Sequence, residues 1–177
     1  EPLYPEYFDL MLSEVREKVE KGIGGLPEEK ARVYWVVSAP FYADPFSFLE
    51  SRGIAVPIYD AGTASGGDFV SQEEDTMRGQ PVSPLEHLAA GAAGNGRLPI
   101  PKSRRILDNC RDLHLDGIIY FMLSGCMPEL GDAKIVADNA ERELGIPTLM
   151  IDGYCLDQEK YNQADFEAKL DDFANLV

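Results

Sequence analysis

The sequence is short of cysteine, histidine and positive charge, and each shortage excludes something. Its 177 residues hold three cysteines, two histidines and one tryptophan. Cys110, Cys126 and Cys155 are odd in number and widely spaced. They make neither a disulfide framework nor a Cys-x-x-Cys metal knuckle. A reducing, cytoplasmic setting is the simplest expectation. Sixteen basic residues stand against 31 acidic ones, a formal charge of -15. A surface of that sign repels phosphate backbones and anionic membranes, so general nucleic-acid binding is excluded. No apolar run approaches the roughly 20 residues of a membrane helix, and no signal peptide is visible. The glycines of 61–67 lack G-x-G-x-x-G or Walker spacing after a strand, so a dinucleotide site or P-loop is not indicated.

What is present suits one sizeable domain with a real core: the hydrophobic content is 45%. The chain starts at Glu1 without Met, which fits a processed chain or a portion of a longer one. Lys102, Arg104 and Arg105 form the one dense cationic cluster.

Hydrophobic spacing sets out the elements. Phe8, Leu10, Met11, Val15 and Val19 predict a helix over 7–19, closed by the Gly- and Pro-rich stretch 21–27; residues 1–30 read as this helix and a linker. The β-branched and aromatic runs 32–37, 54–59, 117–123 and 147–151 predict four strands. Pro57 pushes the second toward a sheet edge. Helices are expected over 44–52, 83–90, 103–113, 132–144 and 163–177, with long loops over 61–80 and 91–102. Strands alternating with helices predict an α/β, doubly wound, mainly parallel sheet with helices on both faces. The expected strand order is 2-1-3-4, with a crevice between strands one and three.

In such a sheet every strand delivers its next residues to one edge, where ligands bind. Ser38 and Pro40, Asp60, then Ser124, Gly125 and Cys126, then Asp152, Tyr154 and Cys155 converge there. Cys126 stands out because it lies between a strand and a helix. The backbone N–H groups and dipole of a helix start favour thiolate, the form that binds iron or zinc. Cys126 as a plain turn residue stands beside that reading. Cys110 falls on an inward helix face and reads as core. Cys155 follows strand four and reads first as a non-ligand. His87 and His114 read as surface or cap residues, and Glu73-Glu74-Asp75 as a solvated loop.

Taken together, the run Asp116-Gly117-Ile118-Ile119-Tyr120-Phe121 through Cys126, the later Gly145-Ile146-Pro147, the acidic turn at Asp152 and the closing helix with Phe166 to Leu176 resemble the 2-hydroxyacyl-CoA dehydratase / benzoyl-CoA reductase family. Arg32 to Pro40 and Pro84 to Leu88 resemble its upstream strand-and-turn and its short helix after the loop. The resemblance covers nearly the whole chain. It implies an oxygen-sensitive subunit of anaerobic metabolism with a [4Fe–4S] cluster near an acyl-CoA pocket. It also implies a second homologous subunit and an ATP-dependent activator protein. Dehydratases of the family reduce the thioester to a ketyl radical and expel the hydroxyl; the reductases act on an aromatic ring. Cys126 matches the family's C-terminal cluster ligand. Family subunits are roughly twice as long and carry further cluster cysteines in an N-terminal half. This chain therefore resembles the C-terminal part of a subunit. Where some relatives have a cysteine, it has Ile100.

The resulting expectation is a C-terminal domain of a dehydratase-type subunit. Cys126 gives one thiolate to iron. Ser124 and nearby N–H groups donate to cluster sulfur or thioester oxygen. Lys102, Arg104 or Arg105 face CoA phosphates. A non-catalytic α/β binding or subunit-interaction module is the alternative, as is a benzoyl-CoA reductase subunit. A flavodoxin-like FMN domain ranks below these, since the loop after strand one lacks a Ser/Thr-Gly phosphate cradle.

Overall fold

The structure, a computed structural model, describes residues 4–60 and 99–177. The expected loop 61–80, the helix 83–90, the run Glu73-Glu74-Asp75 and His87 lie outside the described residues.

Among the described residues ten elements follow in order. They are α1 (Tyr4–Glu20), β1 (Ala31–Val36), α2 (Pro45–Glu50), β2 (Ile54–Asp60), α3 (Pro99–Asp112), β3 (Gly117–Leu123), α4 (Met127–Leu144), β4 (Thr148–Gly153), a short 3-10 turn (Gln158–Lys160) and α5 (Gln163–Ala174). The four strands form one parallel sheet in the order β2-β1-β3-β4. The α/β doubly wound reading and its order 2-1-3-4 therefore hold.

Two helix starts differ from expectation. The loop placed at 91–102 does not reach Lys102, because α3 begins at Pro99. Proline is tolerated in a first helical turn, where its missing N–H has no partner to lose. Likewise α4 begins at Met127 rather than near Asp132, with proline at its first turn. That shift makes Cys126 the residue that caps α4. β4 also runs through Asp152 and Gly153, which pair with Met122 and Leu123 rather than forming a turn.

The central strands β1 and β3 are buried on both faces, as in a parallel sheet covered by helices, whereas the edge strands β2 and β4 are more exposed. Trp35, Ile119, Phe121 and Ile151 pack with Leu49 of α2 and with Phe166, Leu170 and Phe173 of α5. On the other face, Tyr34, Val36, Ile118 and Tyr120 pack with Ile106 and Cys110 of α3 and Ala133, Val136 and Ala140 of α4. Cys110 is thus core, as read from its helix face. Burial of its thiol pushes its pKa up to about 12.

β2 is an edge strand, as Pro57 suggested. Its pairing with β1 slips by one residue, from Arg32↔Ala55 to Tyr34↔Ile58, so Pro57 sits in a bulge. The strand order reverses between β1 and β3, and their C-terminal ends flank the crevice expected of such a switch point.

Candidate functional site

Three chain segments meet at this crevice. After β1 the backbone turns sharply: Val37 has a φ of 73. A β-branched residue rarely adopts that left-handed conformation, and such strain collects at functional sites. Surrounding bonds hold it. The Trp35 indole N–H donates to the Ser38 carbonyl at 3.2 Å. The Ala39 N–H donates to the Tyr59 hydroxyl of β2 at 3.2 Å.

After β3 comes Ser124-Gly125-Cys126. The Ser124 N–H donates to the Gly153 carbonyl at 2.8 Å, and the Cys126 N–H to the Leu123 carbonyl at 3.0 Å. Two of the backbone donors expected to face a ligand are therefore already used. The Gly125 N–H has no partner among the described residues. Gly125 has a φ of 91, which closes the turn and explains the glycine. Cys126 is half-buried, extended in backbone, and its side chain makes no capping bond to α4. Its sulfur thus stands at a helix N-terminus beside the switch point, not used in capping α4.

After β4 the chain turns back across the end of β3 toward the β1 loop. The Phe41 N–H donates to the Cys155 carbonyl at 3.0 Å. The Tyr42 hydroxyl donates to the Tyr154 carbonyl at 2.6 Å. Burial pushes the Cys155 thiol up, and a hydrogen bond with the Ser38 side chain works against that push. The structure thus joins Ser38 to Cys155 and ties Ser124 to the end of β4. A cavity of about 510 Å³ opens beside this strap, walled by Tyr42, Phe48, Tyr161 and Phe166 between α2 and α5. Its lining includes Asp44 and Glu167 but no lysine or arginine, and neither Ser124 nor Cys126.

The cationic cluster divides three ways. Lys102 is buried; its ammonium donates to the Tyr120 hydroxyl at 2.9 Å and lies 3.5 Å from an Asp132 carboxylate oxygen. Arg105 is about one-fifth exposed and pairs with Asp60, at the end of β2, at 3.0 Å. Arg104 is exposed. Sequence reasoning missed the Lys102–Tyr120–Asp132 cluster because it forms only when α3 and α4 lie side by side over β3. His114, at the C-terminal end of α3, is exposed with a φ of 52, so it is a surface cap residue.

Residues 2–176 match the family described as 2-hydroxyglutaryl-CoA dehydratase, D-component. The chain belongs to that family. No curated protein matches it.

An iron–sulfur cubane needs about three or four protein ligands. Among the described residues, no three histidine, cysteine or acidic side chains gather to hold a metal. Cys110 lies in the α3/α4 core and Cys155 is buried. The described residues alone therefore do not make a whole cluster ligand set. Among them, no helix is long and apolar enough to cross a membrane.

Proposed function

We propose that this chain is the C-terminal domain of a 2-hydroxyacyl-CoA dehydratase-type subunit, and that Cys126 gives one thiolate to a [4Fe–4S] cluster. The reading rests on one observation: the half-buried Cys126 caps α4 at the β1/β3 switch point with no capping bond from its side chain, in a chain of this family. A cluster bound there would supply a low-potential electron for radical dehydration of an acyl-CoA. Cys110 and Cys155 are buried, so the remaining ligands come from outside the described residues. A homologous partner subunit and an ATP-dependent activator complete the reading.

The chain's own residues have definite tasks in it. The Ser124 hydroxyl and the Gly125 N–H are the donors available at the crevice, for cluster sulfur or for the thioester oxygen. Arg104 and Arg105 offer positive charge to CoA phosphates where α3 begins, in a protein whose formal charge is -15. Lys102 stands behind them, held by Tyr120 and Asp132. A non-catalytic binding module is the second reading, favoured by the incomplete ligand set.

The test is anaerobic quantitation of iron and acid-labile sulfide in the native subunit assembly, wild type and Cys126→Ala. The proposal expects a brown assembly whose cluster is lost in Cys126→Ala and retained in Cys110→Ala. An assembly without iron, or one that keeps its full cluster without Cys126, supports the binding module instead.

A further inference from the structure

The cavity between α2 and α5 has no part in the cluster reading, and its lining has a chemistry of its own. Its volume of about 510 Å³ falls within the ordinary range for small-molecule sites. Aromatic rings make its walls. Tyr42 and Tyr161 stand 5.0 Å apart at 62°, and Tyr161 and Phe166 stand 5.4 Å apart at 59°. Rings at such steep angles form a corner rather than a stack. The Tyr42 hydroxyl donates to the Tyr154 carbonyl at 2.6 Å, which holds that ring in place. Ring faces attract cations. Phe48, the fourth ring, already does so: the Arg52 guanidinium lies 4.0 Å from its centroid.

Two carboxylates join the rings, Asp44 and Glu167, with no lysine or arginine in the lining among the described residues. The nearby cations are engaged elsewhere. Arg52 pairs with Asp171 at 2.8 Å and Lys169 with Asp165 at 2.7 Å. Lys160 is exposed and pairs with neither carboxylate. Glu167 accepts one bond from the Gln163 side chain, and Asp44 accepts from the Ser47 N–H and hydroxyl. A carboxylate has about four acceptor sites, so both keep capacity. Glu167 also faces the rings. The Tyr161 hydroxyl is pushed up in pKa by burial and then by the Glu167 charge.

The starts of α2 and α5 border the cavity and oppose this charge. Each already has a cap from the chain itself, Asp44 on α2 and Asn162 on α5. A helix start is equivalent to about half a positive charge at most, so two full carboxylates prevail. A bare metal ion does not suit the site. It needs a shell of oxygen ligands, and no three acidic, histidine or cysteine side chains gather among the described residues. An alkylated ammonium needs only ring faces and a nearby negative charge.

We propose that this cavity binds a small organic ammonium ion, seated in the corner of Tyr42, Tyr161 and Phe166 with its charge toward Glu167.

Amide NMR titration of the 177-residue chain tests the proposal, with choline as one probe and dimethylbutanol, its uncharged carbon isostere, as the other. Choline should shift the amides of Tyr42 to Phe48 and of Tyr161 to Glu167 saturably. It should bind about tenfold or more tightly than the isostere. Asp44→Asn keeps a side chain that caps α2, and Glu167→Gln keeps an acceptor for Gln163. The double variant should therefore stay folded by circular dichroism. It should lose about fivefold or more of its choline affinity while binding the isostere as before. Tyr161→Phe keeps the ring and should bind choline like the wild type, whereas Tyr161→Leu should weaken it about threefold or more. A wild type with no saturable choline shift in these segments, equal affinity for the two probes, or a folded double variant that binds choline as tightly as the wild type overturns the proposal. None of these outcomes bears on Cys126, so this inference and the cluster reading fail separately.

Discussion

Gly153→Ala is the most stringent test of how the β3 and β4 ends are packed behind the crevice. A methyl carbon built on Gly153 would lie 2.4 Å from Cζ and 2.6 Å from Cε2 of Phe121. Ordinary carbon contacts begin near 3.5 Å, so the ring must retreat by about 1 Å. It has little room: Phe121 is fully buried and stacked on Trp35, with ring centroids 6.4 Å apart. Overpacking of this kind costs about 1–3 kcal/mol. For a chain of this size that lowers Tm by roughly 2–12 °C. Trp35 is the only tryptophan, so its fluorescence reports both the unfolding transition and the displaced ring. Gly125→Ala is the informative control. Nothing lies near its added carbon, but its φ of 91 strains any side chain. It should cost about 1–2 kcal/mol without moving the Trp35 emission. Adding Phe121→Leu to Gly153→Ala should recover part of the loss, a coupling that independent sites would not show. An unchanged Tm together with an unchanged Trp35 emission in Gly153→Ala would refute the packing argument.

Other expectations follow from the same geometry. Asp132→Ala removes the carboxylate facing the buried Lys102 ammonium and should destabilise by about 3–5 kcal/mol; replacing Lys102 by Met and Asp132 by Leu together should cost far less, as urea unfolding will show. Cys110, whose folded pKa is raised to about 12, favours its neutral thiol in the fold. Its share of stability is present below the ordinary thiol pKa of about 8.5 and is lost as pH rises from there toward 12, because the unfolded thiol ionises first. Urea midpoints of wild type and Cys110→Ala should therefore converge on the alkaline side. Arg104→Ala with Arg105→Ala should weaken binding of an acyl-CoA to the native assembly about tenfold or more and flatten its dependence on salt, read by calorimetry.

The sheet was legible because its signal is redundant. The four β-branched runs are long, bounded by Gly or Pro, and separated by helical spacing, and together they admit few topologies. The starts of α3 and α4 lie earlier than the apolar spacing indicates, and both first turns carry proline: Pro99 and Pro101 fall in the expected loop 91–102, and Pro128 precedes the expected start near Asp132, yet in the first turn of a helix proline removes no bond. Recognising Pro128 as a start signal would have made Cys126 the cap from sequence alone. The tail of β4 was obscured by Asp152 and Gly153, residues depleted in strands; here Gly153 is required because Phe121 occupies the space its side chain would need. The burial of Lys102, grouped in sequence with Arg104 and Arg105, is not legible because its partner Asp132 comes thirty positions later, on a different helix.

The account stands or falls on whether Cys126 is engaged by a metal cofactor in the native assembly. Anaerobic alkylation with iodoacetamide, read by mass spectrometry before and after the iron is stripped with a chelator, asks this directly. The account predicts that Cys126 is protected in the iron-loaded assembly and labelled after stripping, while Cys110 is protected in both. Equal labelling of Cys126 in the two states would contradict it.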